Sequence, residues 1–287
     1  MHYPNLAAFV ANSRRPLTNG PFALLLIEDV VEVDSTLAHL GKLGFSDIIA
    51  FCASDIVVPD TDNTNLHRVD FDVAADNALP DIVNTLIKAL PDTWFYYCYN
   101  GEYLYYPFCE HRNVREMLDF MQEERRGSVM SYVVDLYARD LTANPTGVDR
   151  ATACFDKSGY YALARKDATG ETLDRQLDVA GGLRWRFEDH IPKDRQRTDR
   201  VSFFRTQPEL KMLPDRSFNI AEYNTYSCPW HNNLTAAVAS FRTAKALRRN
   251  PGSRDVINSF HWPQSVAFEW SSQQLLDLGM MEPGQWF

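Results

Sequence analysis

The chain has 287 residues, 45% of them hydrophobic and 13% aromatic, enough to bury a sizeable core as one large domain. A formal net charge of −9 argues against a general nucleic-acid binder. No apolar run is long enough to span a membrane, and the N-terminus lacks the basic region and apolar core of a secretory leader.

Five cysteines, Cys52, Cys98, Cys109, Cys154 and Cys228, have no C-x-x-C spacing and are odd in number. Reduced thiols in a cytoplasmic protein fit this better than disulfides or a zinc site. The charge is uneven: residues 184–254 hold 14 Lys or Arg against 7 Asp or Glu, and residues 1–183 hold 15 against 27. That asymmetry suits a small anionic ligand; the alternative is a solvated face of mixed charge.

Phe22 to Ile27 is a short continuous apolar run, the pattern of a buried parallel strand. Val30, Val33, Leu37, Leu40 and Leu43 recur at helical spacing, with Gly44 as a C-cap. Asp47 to Ala53 reads as a second strand, Leu66 to Phe71 as a third, and Asn77 to Leu90 as a helix. Thr93 to Pro107 is an aromatic run interrupted by the turn dipeptide Asn100-Gly101. Val114 to Arg126 reads as a helix ending at Gly127, and Ser128 to Tyr137 as a fifth strand. This alternation is an α/β signature. There is no G-x-G-x-x-G after the first strand and no G-x-x-x-x-G-K-S/T, which counts against dinucleotide-binding dehydrogenases and P-loop NTPases. The absence of G-x-S-x-G counts against an α/β hydrolase.

Beyond Leu141, residues 141–157 read as a loop. Tyr160 to Arg165 and Leu183 to Phe187 read as strands, and residues 188–200 as an exposed or ligand-covering loop. Val201 to Phe204 and Leu210 to Leu213 suggest a hairpin. Asn233 to Arg249 reads as a helix ended by Pro251-Gly252, Ser271 to Gly279 as a final helix, and the tail as packing back on the body through its two terminal aromatics.

The central stretch resembles the metal-site strand of glycosyltransferase family 2-like proteins with the GT-A fold, which ends in Asp-x-Asp-Glu-Phe-Leu-x-Tyr-Pro. Glu102, Tyr103, Leu104, Tyr106 and Pro107 keep that pattern, while Tyr99 and Gly101 stand where the two aspartates belong. Glu28 before a helix ending in Leu43-Gly44-Phe45, Ser54-Asp55 after the second strand, and Asp135-Leu136-Tyr137 extend the resemblance over residues 22–140. It implies an α/β, GT-A-like sandwich, with a mostly parallel central sheet, helices on both faces and a C-terminal α+β elaboration. Residues 1–287 would form one domain, with 22–140 the nucleotide-binding half and 141–287 the acceptor side.

The implied function is sugar transfer from a nucleoside-diphosphate donor to a glycan or lipid acceptor; the alternative is a catalytically inactive binding or interaction protein of the same fold. Glu28 and Asp55 would contact the nucleoside. Asn100 and Glu102 would lie at the substrate, Glu102 at the diphosphate. A divalent Mn²⁺ or Mg²⁺ wants hard oxygen ligands, and Glu102 alone is a weak site for one; the resemblance adds His231, which by its order in the chain is similar to the family's late His at the metal or diphosphate. Glu102 could equally be bonded to a nearby turn. In a metal-independent enzyme, arginine forks suit phosphate oxygens, and Arg184, Arg186, Lys193, Arg195, Arg197 and Arg200 form the candidate group. Trp230 and His231 precede the expected helix at Asn233, whose N-terminus would favour an anion; alternatively Asn232 or Asn233 caps it and His231 packs on Trp230. Asp189 is the candidate general base of an inverting transfer.

Overall fold

The computed structural model describes residues 1–13, 20–60 and 65–286. Strand β1 (His2–Tyr3) and helix α1 (Leu6–Ser13) open the chain. Strand β2 (Phe22–Leu26), helix α2 (Val33–Lys42) and strand β3 (Asp47–Cys52) follow, and every residue of both strands is buried. Gly44, just past α2, takes a φ of +93°, a left-handed turn that a side chain would resist. Then come β4 (Asn65–Asp70), α3 (Ala78–Ala89), β5 (Trp94–Tyr99) and, after the turn at Asn100-Gly101, β6 (Glu102–Tyr105).

Helix α4 (Val114–Glu123) starts in a capping box: Asn113 accepts from the Glu116 amide, and the Glu116 carboxylate accepts from the Asn113 amide. It ends earlier than Gly127. Arg125 takes the left-handed conformation (φ +55°), and the Arg126 amide donates to the Met121 carbonyl at 2.8 Å. Gly127 is small for another reason, since a Cβ there would lie 2.7 Å from the Tyr223 hydroxyl oxygen.

The remaining elements are β7 (Ser128–Asp135), β8 (Tyr137–Ala138), β9 (Ala153–Asp156), β10 (Tyr161–Lys166), β11 (Thr172–Ala180), α5 (Gly182–Arg186) and β12 (Asp199–Arg205). They are followed by β13 (Ala236–Ser240), α6 (Arg242–Arg249), α7 (Pro251–Arg254), β14 (Ser265–Ala267) and α8 (Ser272–Asp277). The protein is α/β, with a large mixed, mostly parallel sheet in the order β1-β4-β3-β2-β5-β12-β7-β13-β6. Pairing is parallel for β1/β4, β4/β3, β3/β2, β2/β5 and β7/β13, and antiparallel for β5/β12. Among the described residues, no helix is long and apolar enough to cross a membrane.

The chain forms two compact units. The first comprises Met1–Tyr103, His111–Met130 and Val201–Asn224; the second comprises Leu104–Glu110, Ser131–Arg200 and Thr225–Phe287. Aromatic stacking builds the first unit's core: Phe45 lies over Tyr96 at 5.6 Å, and Tyr96 against Phe203 at 4.7 Å. In the second unit, Tyr137, Leu183, Leu247 and Phe260 share a buried cluster.

Four expectations for the second half are corrected. The helix expected from Asn233 begins only at Arg242, and Ala236–Ser240 is instead a fully buried strand pairing in parallel with Ser131–Asp135. Its Ala-Ala-Val-Ala-Ser sequence lets it be covered on both faces, and a short apolar run cannot be told from a buried helix by periodicity. Leu183 to Phe187 is covered by helix α5 rather than a strand; Leu183 anchors it in the apolar cluster. Val201 to Phe204 pairs with β5 rather than with residues 210–213, where Met212 bridges to Phe218. Residues 188–200 are not an open loop throughout: they form two 3-10 turns and then bury Thr198 and Asp199. Asp199 tolerates burial because Arg165 pairs with it and the Val179 amide donates to it at 2.7 Å. In the tail, Trp286 is buried against Tyr106 and Phe108; Phe287 lies outside the described residues.

Candidate functional site

In the first unit the chain runs from β2 to β3 to β4 on one side, then returns to β5 on the other side of β2. Strand order therefore reverses between β2 and β5. In open α/β sheets that reversal, at the carboxyl ends of the strands, is where a crevice for a ligand forms. Here those ends are Leu26 and Tyr99, paired in register, and the residues that follow them are Glu28, Asp29, Asn100 and Gly101.

Asn100 ties the two strand ends together. It is fully buried; its Oδ1 accepts from the Glu28 amide at 2.9 Å. Its Nδ2 donates to the Asp29 carbonyl at 3.0 Å, to Asp29 Oδ1 at 2.8 Å and to the Val31 carbonyl at 2.8 Å. Only this orientation of the amide matches donors to acceptors at all four contacts. Gly101, at φ +78°, donates its amide to Thr36 Oγ1 at 2.9 Å. The same loop carries Glu32, held in the left-handed region (φ +61°), whose carboxylate accepts from Tyr103 at 2.9 Å and from Ser35. His39 packs edge-on against the Tyr103 ring at 5.5 Å.

Of the residues singled out from sequence, Glu28 and Asn100 meet at this reversal. Glu28 is half-buried, and its backbone, not its side chain, is the group that Asn100 holds. Asp55 is exposed just past β3, on a loop pinned by Arg68, which donates to the Ser54 carbonyl at 2.7 Å. Glu102 is 1% exposed, and its Oε2 accepts from the Tyr99 amide at 2.9 Å.

The other candidates belong to the second unit. Asp189 is exposed in a 3-10 turn. Trp230 is 87% exposed, and His231 closes a turn in which its carbonyl accepts from the Cys228 amide at 3.0 Å. Because a strand rather than a helix follows, no helix N-terminus stands behind this pair. Arg195 is exposed beside Asp194, Arg197 pairs with Asp178 at 3.1 Å, and Arg200 is half-buried in β12. Arg184 and Arg186 are committed to buried carboxylates. Arg184 faces Asp135 at 3.3 Å, and Asp135 also accepts from Thr243 at 2.8 Å. Arg186 contacts Asp156 at 3.1 Å and lies over the Trp262 ring at 4.7 Å. Among the described residues, no three His, Cys, Asp or Glu side chains come together in a way that could hold a metal ion.

A second concave feature, wholly within the second unit, was not legible from sequence. It is a cleft of about 510 Å³ lined by Tyr132, Tyr160, Tyr161 and Tyr226. Tyr160 is seated on a glycine pair: a Cβ on Gly181 would lie 2.2 Å from its ring, and one on Gly182 would lie 3.4 Å from its hydroxyl. Two adjacent glycines ending a strand were the available signal of close approach. Burial, with the Asp135 charge beside it, holds the Tyr160 hydroxyl well above the usual tyrosine range. Burial also pushes Tyr132 up to about 12, helped by Asp199 and Glu282. We expect Gly181→Ala to cost about 1–3 kcal/mol through overpacking, read as a lower melting temperature than that of Gly252→Ala. At Gly252 a Cβ meets only Asn250 Oδ1, at 3.4 Å.

No protein-family model matches the chain, and no curated protein matches it. Fold and site therefore define a class: an α/β protein with a mixed, mostly parallel sheet and a hydrogen-bonded, carboxylate-bearing cluster where its strand order reverses.

Proposed function

We propose that the protein is a GT-A-like glycosyltransferase that binds a nucleoside-diphosphate sugar at the carboxyl ends of β2 and β5. The observation that carries this is the coincidence of the strand-order reversal with Glu28, Asp29 and Asn100. Only residues of the first unit take roles. Glu28 and the exposed Asp55 accept hydrogen bonds from the nucleoside. Asn100 holds the β2–α2 loop so that Glu28 is presented in one geometry. Acceptor chemistry, a glycan or a lipid, follows from the sequence resemblance alone, as does any role for Mn²⁺ or Mg²⁺.

A second reading, a binding protein of this fold that transfers nothing, is favoured by one observation. Glu102, the carboxylate left beside the degenerate Asp-x-Asp positions, is buried and engaged by the Tyr99 amide.

Thermal shift with UDP, GDP, CDP and their sugars, in Mn²⁺ and again in EDTA, tests both. Ligand at about 100 times its Kd adds about 2.7 kcal/mol to the native state, which is about 5–10 °C for a chain of this size. We expect a shift of that order with one nucleotide series, surviving EDTA and lost in Glu28→Ala. No shift with any of them would remove the donor site. A shift without sugar transfer or donor hydrolysis would favour the second reading.

A further inference from the structure

The tyrosine-lined cleft of the second unit has features of a binding site in its own right, independent of any donor site in the first. Its volume, about 510 Å³, lies within the range of small-molecule pockets. Its floor is apolar: Val133, Leu177, Val179 and Met280 contribute to it. Its charged lining is one residue of each sign, Lys157 and Glu282, and both are exposed. The buried carboxylates next to it, Asp135 and Asp199, already face Arg184 and Arg165, so a ligand with a net charge would find no uncommitted buried counter-charge on this lining, and leaving water would cost it heavily.

The polar groups point to what would fit. Among the described residues, none of the hydroxyls of Tyr132, Tyr161 and Tyr226 makes a hydrogen bond within the protein, and Tyr160 adds a ring wall fixed by Gly181. A tyrosine hydroxyl both donates and accepts, as does the amide of Asn232 on the same lining. Groups of this kind suit a partner whose own polar groups do both, which is to say hydroxyls. Aromatic walls favour a flat or ring-shaped apolar face.

We propose that this cleft binds an uncharged ring compound with an apolar face and a hydroxylated edge. Two sources share that chemistry, a neutral saccharide and a planar polyphenol, and the test separates them. The full chain is titrated with maltotriose and cellotriose in one arm and quercetin in the other, by calorimetry with ligand-observed NMR as a check. Alongside the wild type run Ala162→Trp, which places an indole on the cleft lining, and Tyr132→Phe/Tyr226→Phe, which keeps the rings and removes two hydroxyls.

One arm is expected to bind saturably at one site. Ala162→Trp should weaken that binding at least tenfold and the double phenylalanine variant at least fivefold, with both melting temperatures near the wild type. Binding in the saccharide arm assigns a sugar, and binding in the polyphenol arm an aromatic compound. Binding in neither arm, or affinity unchanged in both variants, overturns the proposal. UDP-glucose serves as the charged control: its binding should be indifferent to Ala162→Trp, and its loss in that variant would overturn the assignment of the cleft to an uncharged ligand. Failure of the nucleotide thermal shift would leave these outcomes untouched, because none of them uses a residue of the first unit.

Discussion

Asp156→Ala is expected to destabilise the protein by about 3–5 kcal/mol, the cost of leaving a buried charge without its partner. Asp156 is 1% exposed and collects three donors in the second unit. Arg186 Nη1 lies at 3.1 and 3.2 Å from its two oxygens, Trp262 Nε1 at 2.7 Å, and the Tyr137 hydroxyl also donates to it. Truncation strands the Arg186 charge and the Trp262 N–H at once, while the Tyr137 hydroxyl keeps Ser265 Oγ at 2.7 Å. The Arg186 guanidinium has further contacts, to the Phe260 carbonyl at 2.7 Å and over the Phe187 ring at 5.2 Å, but none of these carries a negative charge. A loss of this size corresponds to a fall of about 6–20 °C in melting temperature. Asp156→Asn keeps the shape and some of the acceptors but not the charge, so its loss should be smaller. If Asp156→Ala melted within about 2 °C of the wild type, the pair would be a bystander, as many exposed ion pairs are.

Asn100→Ala is the second large effect, and it joins stability to function. The substitution removes the acceptor that Asn100 offers the Glu28 amide and the donor it offers the Asp29 and Val31 carbonyls and Asp29 Oδ1, which keeps the Val31 amide at 2.8 Å. Buried polar groups deprived of partners cost about 1–3 kcal/mol each before relaxation. Because one loop carries all of them and can partly open to water, we expect a total of about 3 kcal/mol. The nucleotide-induced thermal shift should disappear with it, since the loop that presents Glu28 is no longer held.

Asn100→Asp sharpens the test. It is isosteric but replaces a donor by an anion facing Asp29 Oδ1, a contact now made at 2.8 Å. Two carboxylates so close resist joint ionisation. The damage should therefore be greatest near neutral pH and lessen as the pH falls and a proton is shared between them, followed by melting temperature across that range. Equal stability of Asn100→Ala and the wild type would show that Asn100 does not hold the loop.

Much of the first half was legible in the sequence because its signals are local. Phe22 to Leu26 and Ile48 to Cys52 are continuous apolar runs and lie in fully buried strands. Val33, Leu37 and Leu40 recur at helical spacing and are the buried face of α2. Asn100-Gly101 turned the chain as that dipeptide allows, and the acidic Glu28 was recognised beside the first strand. Ala236 to Ser240 misled for the opposite reason. Alanine favours helix by intrinsic propensity, but burial between neighbouring strands outweighs a preference of a few tenths of a kcal/mol per residue.

The charges mark the boundary most clearly. In sequence, Arg184, Arg186 and Arg197 form a basic group available to a phosphate; in the fold, their partners are Asp135, Asp156 and Asp178. The Asp156 cluster draws on Tyr137, Arg186 and Trp262, which are 19, 30 and 106 residues away in the chain. Composition and periodicity record which residues face the core of their own element. Which arginine meets which carboxylate, which tyrosines share a cleft and where the strand order reverses depend on how distant segments pack. Only the tertiary structure decided those, because the free energy of each such contact depends on burial and on a partner that no local pattern encodes.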